Sequence, residues 1–372
     1  MASSSSFHLC ILFLYASLLI PTVCHGKTMQ PDDHDHVALF IFGDSVFDAG
    51  NNNYINTTMN YRSNFWPYGE TFFKYPTGRF SDGRLIPDFI AEYAKLPLIP
   101  PYKQPANHQF INGVNFASAG AGVLVETHKG MVIDLKTQLS YFKDVERLLR
   151  QQLGDEEAKK LFKRAVYLFS IGNNDYLFPF LSNSSFFQSY SQEKYVEMVI
   201  GNLTAVIKEL HMKGGRKFGF FSLPPLGCIP AMRALKPGNS SGCVEEINAI
   251  VKLHNYALSE VLQKQERQLE GFMYSSFDSY TSFSERMENP SRYGFEEAKS
   301  GCCGSGPYRG DNSCGGKRGV KEYQLCGNAS AYMFFDSGHP TEMANQQFAK
   351  LMWSGTTDIV WPYNLKALFG FT

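Results

Sequence analysis

The chain has 372 residues, of which 44% are hydrophobic and 19% are charged, and its 35 basic and 35 acidic residues cancel to a formal net charge of zero. A chain of this length can bury a substantial core, and this composition is typical of a globular protein rather than a disordered one. Because there is no excess of basic residues, we expect no nucleic-acid partner.

The amino terminus predicts export from the cell. Residues 9–20 are an unbroken run of apolar or small residues before Pro21, with small residues nearby for cleavage after Cys24 or Gly26. We interpret residues 1–26 as a signal peptide and residues 27–372 as a secreted, extracellular protein. A signal anchor is the competing interpretation, but 12 apolar residues are fewer than the roughly 20 that span a bilayer. No later run is long and apolar enough, so we expect no transmembrane segment in the mature protein.

Short apolar runs alternate with longer helical patterns, which is typical of strands joined by crossover helices in a mostly parallel sheet. The predicted strands cover residues 37–42, 113–117, 165–171, 217–223 and 271–277. One predicted helix begins near Leu85 after a capping Ser81, and a second follows Asp134. The two longest helical patterns cover residues 192–213 and 244–269. An apolar run at 332–335 precedes a final helix that begins near Thr341, and the simplest account is a single α/β/α domain.

A stretch from about residue 289 to 330 is rich in Gly, Ser, Asn and Cys and has no helical or strand period, so we predict a long loop held by disulfides. Pairing of Cys228 with Cys243 would close a short loop. The remaining four cysteines allow three connectivities and leave the choice open: Cys302, Cys303, Cys314 and Cys326. A zinc site is the alternative, but the chain has no Cys-x-x-Cys spacing, so we expect no metal.

Five asparagines begin an N-glycosylation sequon, and we predict that they carry glycan: Asn56, Asn183, Asn202, Asn239 and Asn328. Asn289 is excluded because Pro290 follows it. Such sequons agree with export. The sequence does not indicate an oligomeric state.

Ser45 directly follows the first predicted strand, within Gly43-Asp44-Ser45. Functional groups gather at the carboxyl ends of parallel strands, where the next turn presents them to solvent. A serine becomes a nucleophile only beside a base that removes its proton. The alternative is a turn serine that caps the next helix.

A base for this serine is found in Asp336-Ser337-Gly338-His339-Pro340, just after the apolar run 332–335. The spacing lets the Asp336 carboxylate fold back onto one ring nitrogen of His339, which leaves the other nitrogen to face a hydroxyl. Two further turns offer donors for a developing oxyanion: the Asn174 side chain after the strand at 165–171, and the Gly120 backbone N–H. Taken singly, each is ordinary turn chemistry, and their joint placement indicates a site.

Four blocks in chain order resemble the GDSL lipase/esterase family of plants, within the SGNH hydrolase superfamily, and the resemblance covers essentially the whole mature chain. The blocks are Gly43-Asp44-Ser45, Asn115 through Gly122, Gly172-Asn173-Asn174-Asp175 and Asp336-Ser337-Gly338-His339-Pro340. The resemblance implies a three-layer α/β/α, flavodoxin-like fold. It also implies a nucleophile at Ser45, completed by Asp336 and His339. The oxyanion donors that it implies are the Ser45 N–H, Gly120 and Asn174.

Departures from the family pattern are small and remove no catalytic group. They are Val46, where the family motif has leucine, Ala119, where glycine is frequent, and Phe335, where tryptophan is frequent. Ala119 matters if its backbone needs a positive φ. A rival Gly-x-Ser-x-Gly motif places Ser240 at its centre, but it follows Lys236-Pro237 rather than a strand.

The chemistry predicted from these residues is two-step acyl transfer through an acyl-enzyme, which requires no metal or cofactor. The expected substrate is a small-molecule ester, which the resemblance narrows to lipid or short acyl esters. Segments 65–68 and 178–181 either line an acyl pocket or cover the core. The alternatives are a secreted, defence-associated binding protein of the same fold with little hydrolysis, and an acyltransferase that uses the same residues.

Overall fold

The computed structural model describes residues 37–105, 109–236 and 242–371. The predicted signal peptide, the sequon at Asn239 and the rival Ser240 lie outside these residues. Within the described ranges, no helix combines the length and the apolar character needed to cross a membrane.

The secondary structure alternates between strands and helices over most of the described chain. The strands are β1 Leu39–Gly43, β2 Gly113–Asn115, β3 Val166–Ser170, β4 Lys217–Phe221, β5 Met273–Phe277, β6 Glu297–Gly301, β7 Cys303–Gly304, β8 Gln324–Leu325, β9 Tyr332–Phe334 and β10 Val360–Pro362. The helices are α1 Ile86–Tyr93, α2 Leu135–Leu153, α3 Asp155–Arg164, α4 Asn173–Leu181, α5 Ser185–Gln188, α6 Gln192–Met212, α7 Pro230–Ala234, α8 Glu245–Gln268, α9 Ser279–Glu288, α10 Glu342–Ser354 and α11 Leu365–Gly370.

Six of the described strands form one sheet in the order β10-β5-β4-β3-β1-β2. Strands β1 to β5 pair in parallel, and the edge strand β10 runs antiparallel to β5. Every residue of β1, β3 and β4 is buried, which requires cover on both faces of the sheet. The order 2-1-3-4-5 is that of flavodoxin-like folds. The predicted α/β/α fold with a mostly parallel sheet is therefore confirmed.

The predicted strands all exist, and their bounds differ from the observed ones by one or two residues. The strand prediction at 217–223 runs past the end of β4 at Phe221, and the prediction at 165–171 runs past the end of β3. Leu223 and Ile171 are nevertheless buried, at 1% and 4% exposure. Apolar residues continue into the turns because these turns are covered, so hydrophobicity alone does not mark where pairing stops.

One of the two helix caps predicted from the sequence is found in the structure. Asp134 caps α2 through its side chain, as predicted, and α10 begins directly after Thr341, whose side chain caps it. The prediction that Ser81 caps the first helix is wrong. Helix α1 begins after Leu85, whose N–H donates to the Asp88 carboxylate at 2.8 Å, and Ser81 is buried in the preceding turn. Helix α10 is also not the last element, since β10 and α11 follow it.

The cysteine-rich stretch at 289–330 is mostly irregular, as predicted, although it contains β6, β7 and β8. Strand β6 pairs in parallel with β9, so the apolar run at 332–335 lies outside the central sheet. The disulfides are Cys228–Cys243, Cys302–Cys326 and Cys303–Cys314. The predicted disulfides are therefore confirmed, and one of the three open connectivities is selected. These paired sulfurs are not free thiolates for zinc.

We expect the double replacement Cys228→Ser and Cys243→Ser to lower the free energy of unfolding. This disulfide closes a loop with a sequence separation of 15. Loss of a cross-link of that length costs roughly 3 kcal/mol through the added freedom of the unfolded chain. Urea denaturation of the oxidised proteins measures the difference, and an unchanged midpoint would contradict this prediction.

Candidate active site

Ser45 lies where the strand order reverses. From β1 the chain goes to β2 on one side and then to β3 on the other, so the switch point is β1 itself. Ligand crevices in open α/β sheets form at such a point, outside the carboxyl ends of the strands. Ser45 follows β1 by two residues and therefore lies in this crevice.

The turn that holds Ser45 is anchored by its neighbour Asp44, which is fully buried. The Asp44 carboxylate accepts the Val46 N–H at 3.0 Å and the Asn173 amide at 2.7 Å. Burial raises the pKa of Asp44 to about 6, against the opposing effect of these hydrogen bonds. Asp44 thus ties the turn after β1 to the start of α4, and the neighbouring Ser45 side chain faces the pocket.

His339 and Asp336 complete a continuous chain of hydrogen bonds with Ser45, although 294 positions separate His339 from the serine. His339 Nε2 is 2.8 Å from Ser45 Oγ, and His339 Nδ1 is 2.8 Å from Asp336 Oδ1. Because a carboxylate can only accept, Nδ1 carries the ring proton and Nε2 presents its lone pair to the hydroxyl. This arrangement can remove a proton from Ser45.

The surroundings of Asp336 favour its ionised form. Its Oδ1 accepts the N–H groups of Gly338 and His339, both at 2.9 Å, and its Oδ2 accepts the Tyr68 hydroxyl at 2.7 Å. Burial by itself raises the pKa of Asp336. The charge and hydrogen bond of His339, the Arg318 guanidinium and the Gly338 N–H outweigh burial and hold that pKa well below its usual range.

Gly120 and Asn174 line the same pocket as Ser45 and His339. Gly120 has φ +84°, a conformation that favours glycine, and it belongs to the loop after β2. The Asn174 amide donates one N–H to Ala121 O at 2.9 Å, which leaves its second N–H for a ligand. The structure therefore brings Ser45, Gly120, Asn174 and His339 to one pocket, with Asp336 directly behind the histidine.

The departures from the family pattern are accommodated locally. Ala119 is not among the described residues with positive φ, so its methyl group causes no backbone strain. Its N–H donates to Asp48 Oδ2 at 2.9 Å, which fixes the loop next to Gly120. Phe335 is fully buried and packs on Tyr68, with ring centroids 5.3 Å apart.

The pocket over Ser45 has a volume of about 480 Å³ and walls that are mostly apolar. Its apolar lining includes Phe80, Leu177, Phe178, Leu181, Leu226 and Phe283. The sequence left open whether segments 65–68 and 178–181 line the pocket, and the structure gives a different answer for each. Residues of 178–181 line the pocket, whereas in 65–68 Tyr68 is buried behind Asp336 and Trp66 is 53% exposed.

His128 also lines the pocket and was not predicted. Its Nδ1 donates to Gly120 O at 2.8 Å, because a carbonyl can only accept. The ring contacts Tyr61 and Phe178, with centroids 4.8 and 4.1 Å away. Burial lowers the pKa of His128. No strand end or recognisable motif accompanies this histidine in the sequence, so the position of its ring beside Gly120 emerges only in the folded chain.

Comparison with known proteins assigns the chain to a family. The profile of the family described as GDSL-like lipase/acylhydrolase matches residues 39–352. GDSL esterase/lipase 1 of Arabidopsis thaliana is 58% identical over 335 residues, which is 89% of this chain and 90% of that protein. GDSL esterase/lipase 2 of the same plant is 55% identical, over 97% of each chain. A GDSL lipase of Tanacetum cinerariifolium is 52% identical, over 96% of this chain and 93% of its own. This chain therefore belongs to the GDSL-like lipase/acylhydrolase family, a family of carboxylic ester hydrolases.

Proposed function

We propose that this protein hydrolyses a carboxylic ester through an acyl-enzyme on Ser45, with His339 as general base and Asp336 as the residue that orients it. The observation that carries the proposal is the unbroken chain from Ser45 Oγ through His339 to Asp336 at the edge of an apolar pocket. The names of the relatives, esterase and lipase, support the same reaction class.

In the first half of the proposed reaction, Ser45 Oγ attacks the ester carbonyl while its proton passes to His339 Nε2. The carbonyl oxygen becomes an oxyanion, for which Gly120 and Asn174, with the Ser45 N–H, supply donors. When the tetrahedral intermediate collapses, the bond to the alcohol breaks and His339 returns the proton to the leaving oxygen. The alcohol departs and the acyl group stays on Ser45.

In the second half, water takes the place of the alcohol. His339 removes a proton from the water as it attacks the acyl carbon, and the Ser45–acyl bond then breaks. The proton on His339 returns to Ser45 Oγ, and the carboxylic acid leaves. The imidazole makes every proton transfer, N–H donors face the oxyanion, and the Asp336 carboxylate faces the protonated imidazole, so the scheme requires no metal or cofactor.

The proposed substrate is a lipid or short acyl ester. Aromatic and aliphatic side chains form most of the pocket wall, and burial of an apolar acyl chain there is favourable. Hydrolysis of a chromogenic ester series of increasing acyl length tests this proposal directly. A folded protein that cleaves none of the series, and whose serine does not react with a fluorophosphonate, would refute it.

We also propose that the protein is secreted and glycosylated. Disulfides persist in oxidising compartments, which supports passage through the secretory route. The four predicted sequon asparagines within the described residues are all exposed and accessible to a glycan: Asn56, Asn183, Asn202 and Asn328. Recovery of the protein from the medium of expressing plant cells, with a mass that falls after chemical deglycosylation, checks both statements.

The variant Asn174→Ala is expected to lower kcat by about 10²- to 10³-fold with little change in KM, because an oxyanion donor acts mainly in the transition state. Steady-state kinetics on one chromogenic ester measures both parameters. Asn255→Ala is the control, since the Asn255 amide bonds the Leu223 backbone at 2.9 Å and serves structure. An unchanged kcat in Asn174→Ala would exclude its side chain as a donor.

A further inference from the structure

A second chain of buried contacts continues behind Asp336, on the side away from His339. The Tyr68 hydroxyl donates to Asp336 Oδ2 at 2.7 Å, and Arg318 Nη1 donates to the Tyr68 oxygen, also at 2.7 Å. Tyr68 is fully buried and Arg318 is 9% exposed. Neither side chain lines the pocket, so neither contacts a substrate bound there.

Arg318 is held in place by neutral oxygens. It donates to the backbone carbonyls of Met59 and Arg62 at 3.1 and 2.6 Å, and to the Asn312 side chain at 3.2 Å. The carboxylate that it faces is Asp336, reached through the Tyr68 hydroxyl. A buried charge is costly unless it is compensated, so the guanidinium and the Asp336 carboxylate stabilise each other across the tyrosine.

Arg318 is also linked to His339 by a second route, through the ring of Phe80. Its guanidinium carbon is 5.3 Å from the centroid of the Phe80 ring, and that ring is 4.7 Å from the centroid of His339. The arginine therefore supports Asp336 through Tyr68 and packs against the ring that covers His339. Both contacts converge on the same pair of side chains.

The disulfides connect this arginine to the chain that carries Asp336. Arg318 lies between Cys314 and Cys326, which are bonded to Cys303 and Cys302. The N–H groups of Cys302 and Cys303 donate to the backbone oxygens of Phe334 and Phe335, the two residues before Asp336, at 2.9 and 2.7 Å. Backbone hydrogen bonds therefore fix the position of the cysteine-rich segment relative to the residues that precede Asp336.

We propose that Tyr68 and Arg318 are positioning residues that hold the Asp336 carboxylate for His339, so that the cysteine-rich segment supports catalysis as well as stability. The inference rests on the proposed function. Asp336 Oδ1 accepts two backbone N–H groups, and its Oδ2 accepts the Tyr68 hydroxyl at 2.7 Å besides its 3.0 Å contact with His339 Nδ1, so Tyr68 helps to fix the plane of the carboxylate. Burial raises the pKa of Tyr68 well above its usual range, so the hydroxyl remains a donor at every working pH.

The test compares Tyr68→Phe, Arg318→Met and Arg318→Lys with Lys317→Met, which removes a neighbouring exposed charge from the same loop. Loosening of a catalytic group costs up to about 10²-fold in rate. We expect kcat to fall roughly 10- to 100-fold in Tyr68→Phe and Arg318→Met with KM nearly unchanged. Lys317→Met is expected to match the wild type.

A fall in kcat without a change in KM, together with rescue by the conservative variant, separates positioning from a purely structural role. The positive charge of Arg318 acts on the Asp336 carboxylate, on the side away from His339. Arg318→Lys keeps a positive charge at this position, so we expect it to recover part of the kcat that Arg318→Met loses. If Arg318→Met does not fold, Tyr68→Phe and Arg318→Lys carry the test, with thermal melting as the check on folding.

Labelling of Ser45 by a fluorophosphonate distinguishes failure of this inference from failure of the proposed function. A folded wild-type protein that is not labelled contradicts the proposed function. A labelled wild type, with Tyr68→Phe and Arg318→Met reacting at the same rate, overturns the positioning role alone. Slower labelling in the two folded variants, with Lys317→Met unaffected, supports it.

Discussion

Replacement of Ser45 by alanine is expected to lower kcat by about 10⁶-fold, the loss seen when the nucleophile of a serine hydrolase is removed. Alanine leaves the pocket and the oxyanion donors in place but has no oxygen to form the acyl-enzyme. The Ser45 hydroxyl faces the pocket rather than the core, so the melting temperature is expected to stay close to that of the wild type. Steady-state hydrolysis of a chromogenic ester measures the loss.

The matched control for this variant is Ser240→Ala. Ser240 is the centre of the rival Gly-x-Ser-x-Gly motif, and its replacement leaves the Asn239 sequon intact. We expect Ser240→Ala to retain wild-type kcat. Intact-mass analysis after reaction with a fluorophosphonate then locates the adduct by its absence in Ser45→Ala. Wild-type turnover in Ser45→Ala, or an adduct on another residue, would refute the assignment.

The central sheet could be predicted because its strands are buried on both faces and read as continuous apolar runs. The edge strand β10 was missed because Val360–Pro362 is short, and Trp361 and Pro362 are only partly buried. The capping error at Ser81 has a similar origin. A serine before an apolar pattern predicts an N-cap, but the Asp88 carboxylate takes the Leu85 N–H instead, which the local pattern does not reveal.

The candidate site was predictable where each residue follows a strand within a recognisable block. Ser45 and Asn174 follow β1 and β3, and their distance in sequence did not matter because parallel strands end at the same edge of the sheet. The same reasoning reached the block of Asp336 and His339, although β9 belongs to a separate small sheet. Local motifs therefore indicated chemistry even where the predicted strand pairing was incomplete.

The supporting residues could not be predicted in the same way. Tyr68 and Arg318 are 250 positions apart, and neither belongs to a motif. In the sequence, Tyr68 belongs to an aromatic segment that could either line the pocket or cover the core. Arg318 lies in a loop for which three disulfide connectivities were open. Their contact depends on how the cysteine-rich segment folds back over residues 59–68, a long-range arrangement that leaves no periodic pattern in the sequence.

The variant Asp336→Asn is expected to lose about 10⁴-fold in kcat, as serine hydrolases do when this acid becomes an amide. In the wild type, the carboxylate accepts the proton on His339 Nδ1 at 2.8 Å. An asparagine amide can instead donate to Nδ1, which moves the ring proton to Nε2. Nε2 lies 2.8 Å from Ser45 Oγ and would then donate to the hydroxyl rather than take its proton. KM is expected to change little, since Asp336 does not line the pocket.

A second prediction concerns how the stability of the same variant depends on pH. The pKa of Asp336 is depressed in the folded protein, so its charge stabilises the fold above the pKa of unfolded aspartate, and this contribution is lost as the pH falls through the folded pKa. The wild type should therefore lose more stability on acidification than Asp336→Asn. Asp88→Asn is the control, because it weakens the buried pair between Asp88 and Arg79, whose charged atoms are 2.8 Å apart. Neither residue lines the pocket, so we expect this variant to lower stability without lowering kcat. Wild-type kcat in a folded Asp336→Asn would remove this carboxylate from the mechanism and leave His339 to be oriented by its backbone and by Phe80.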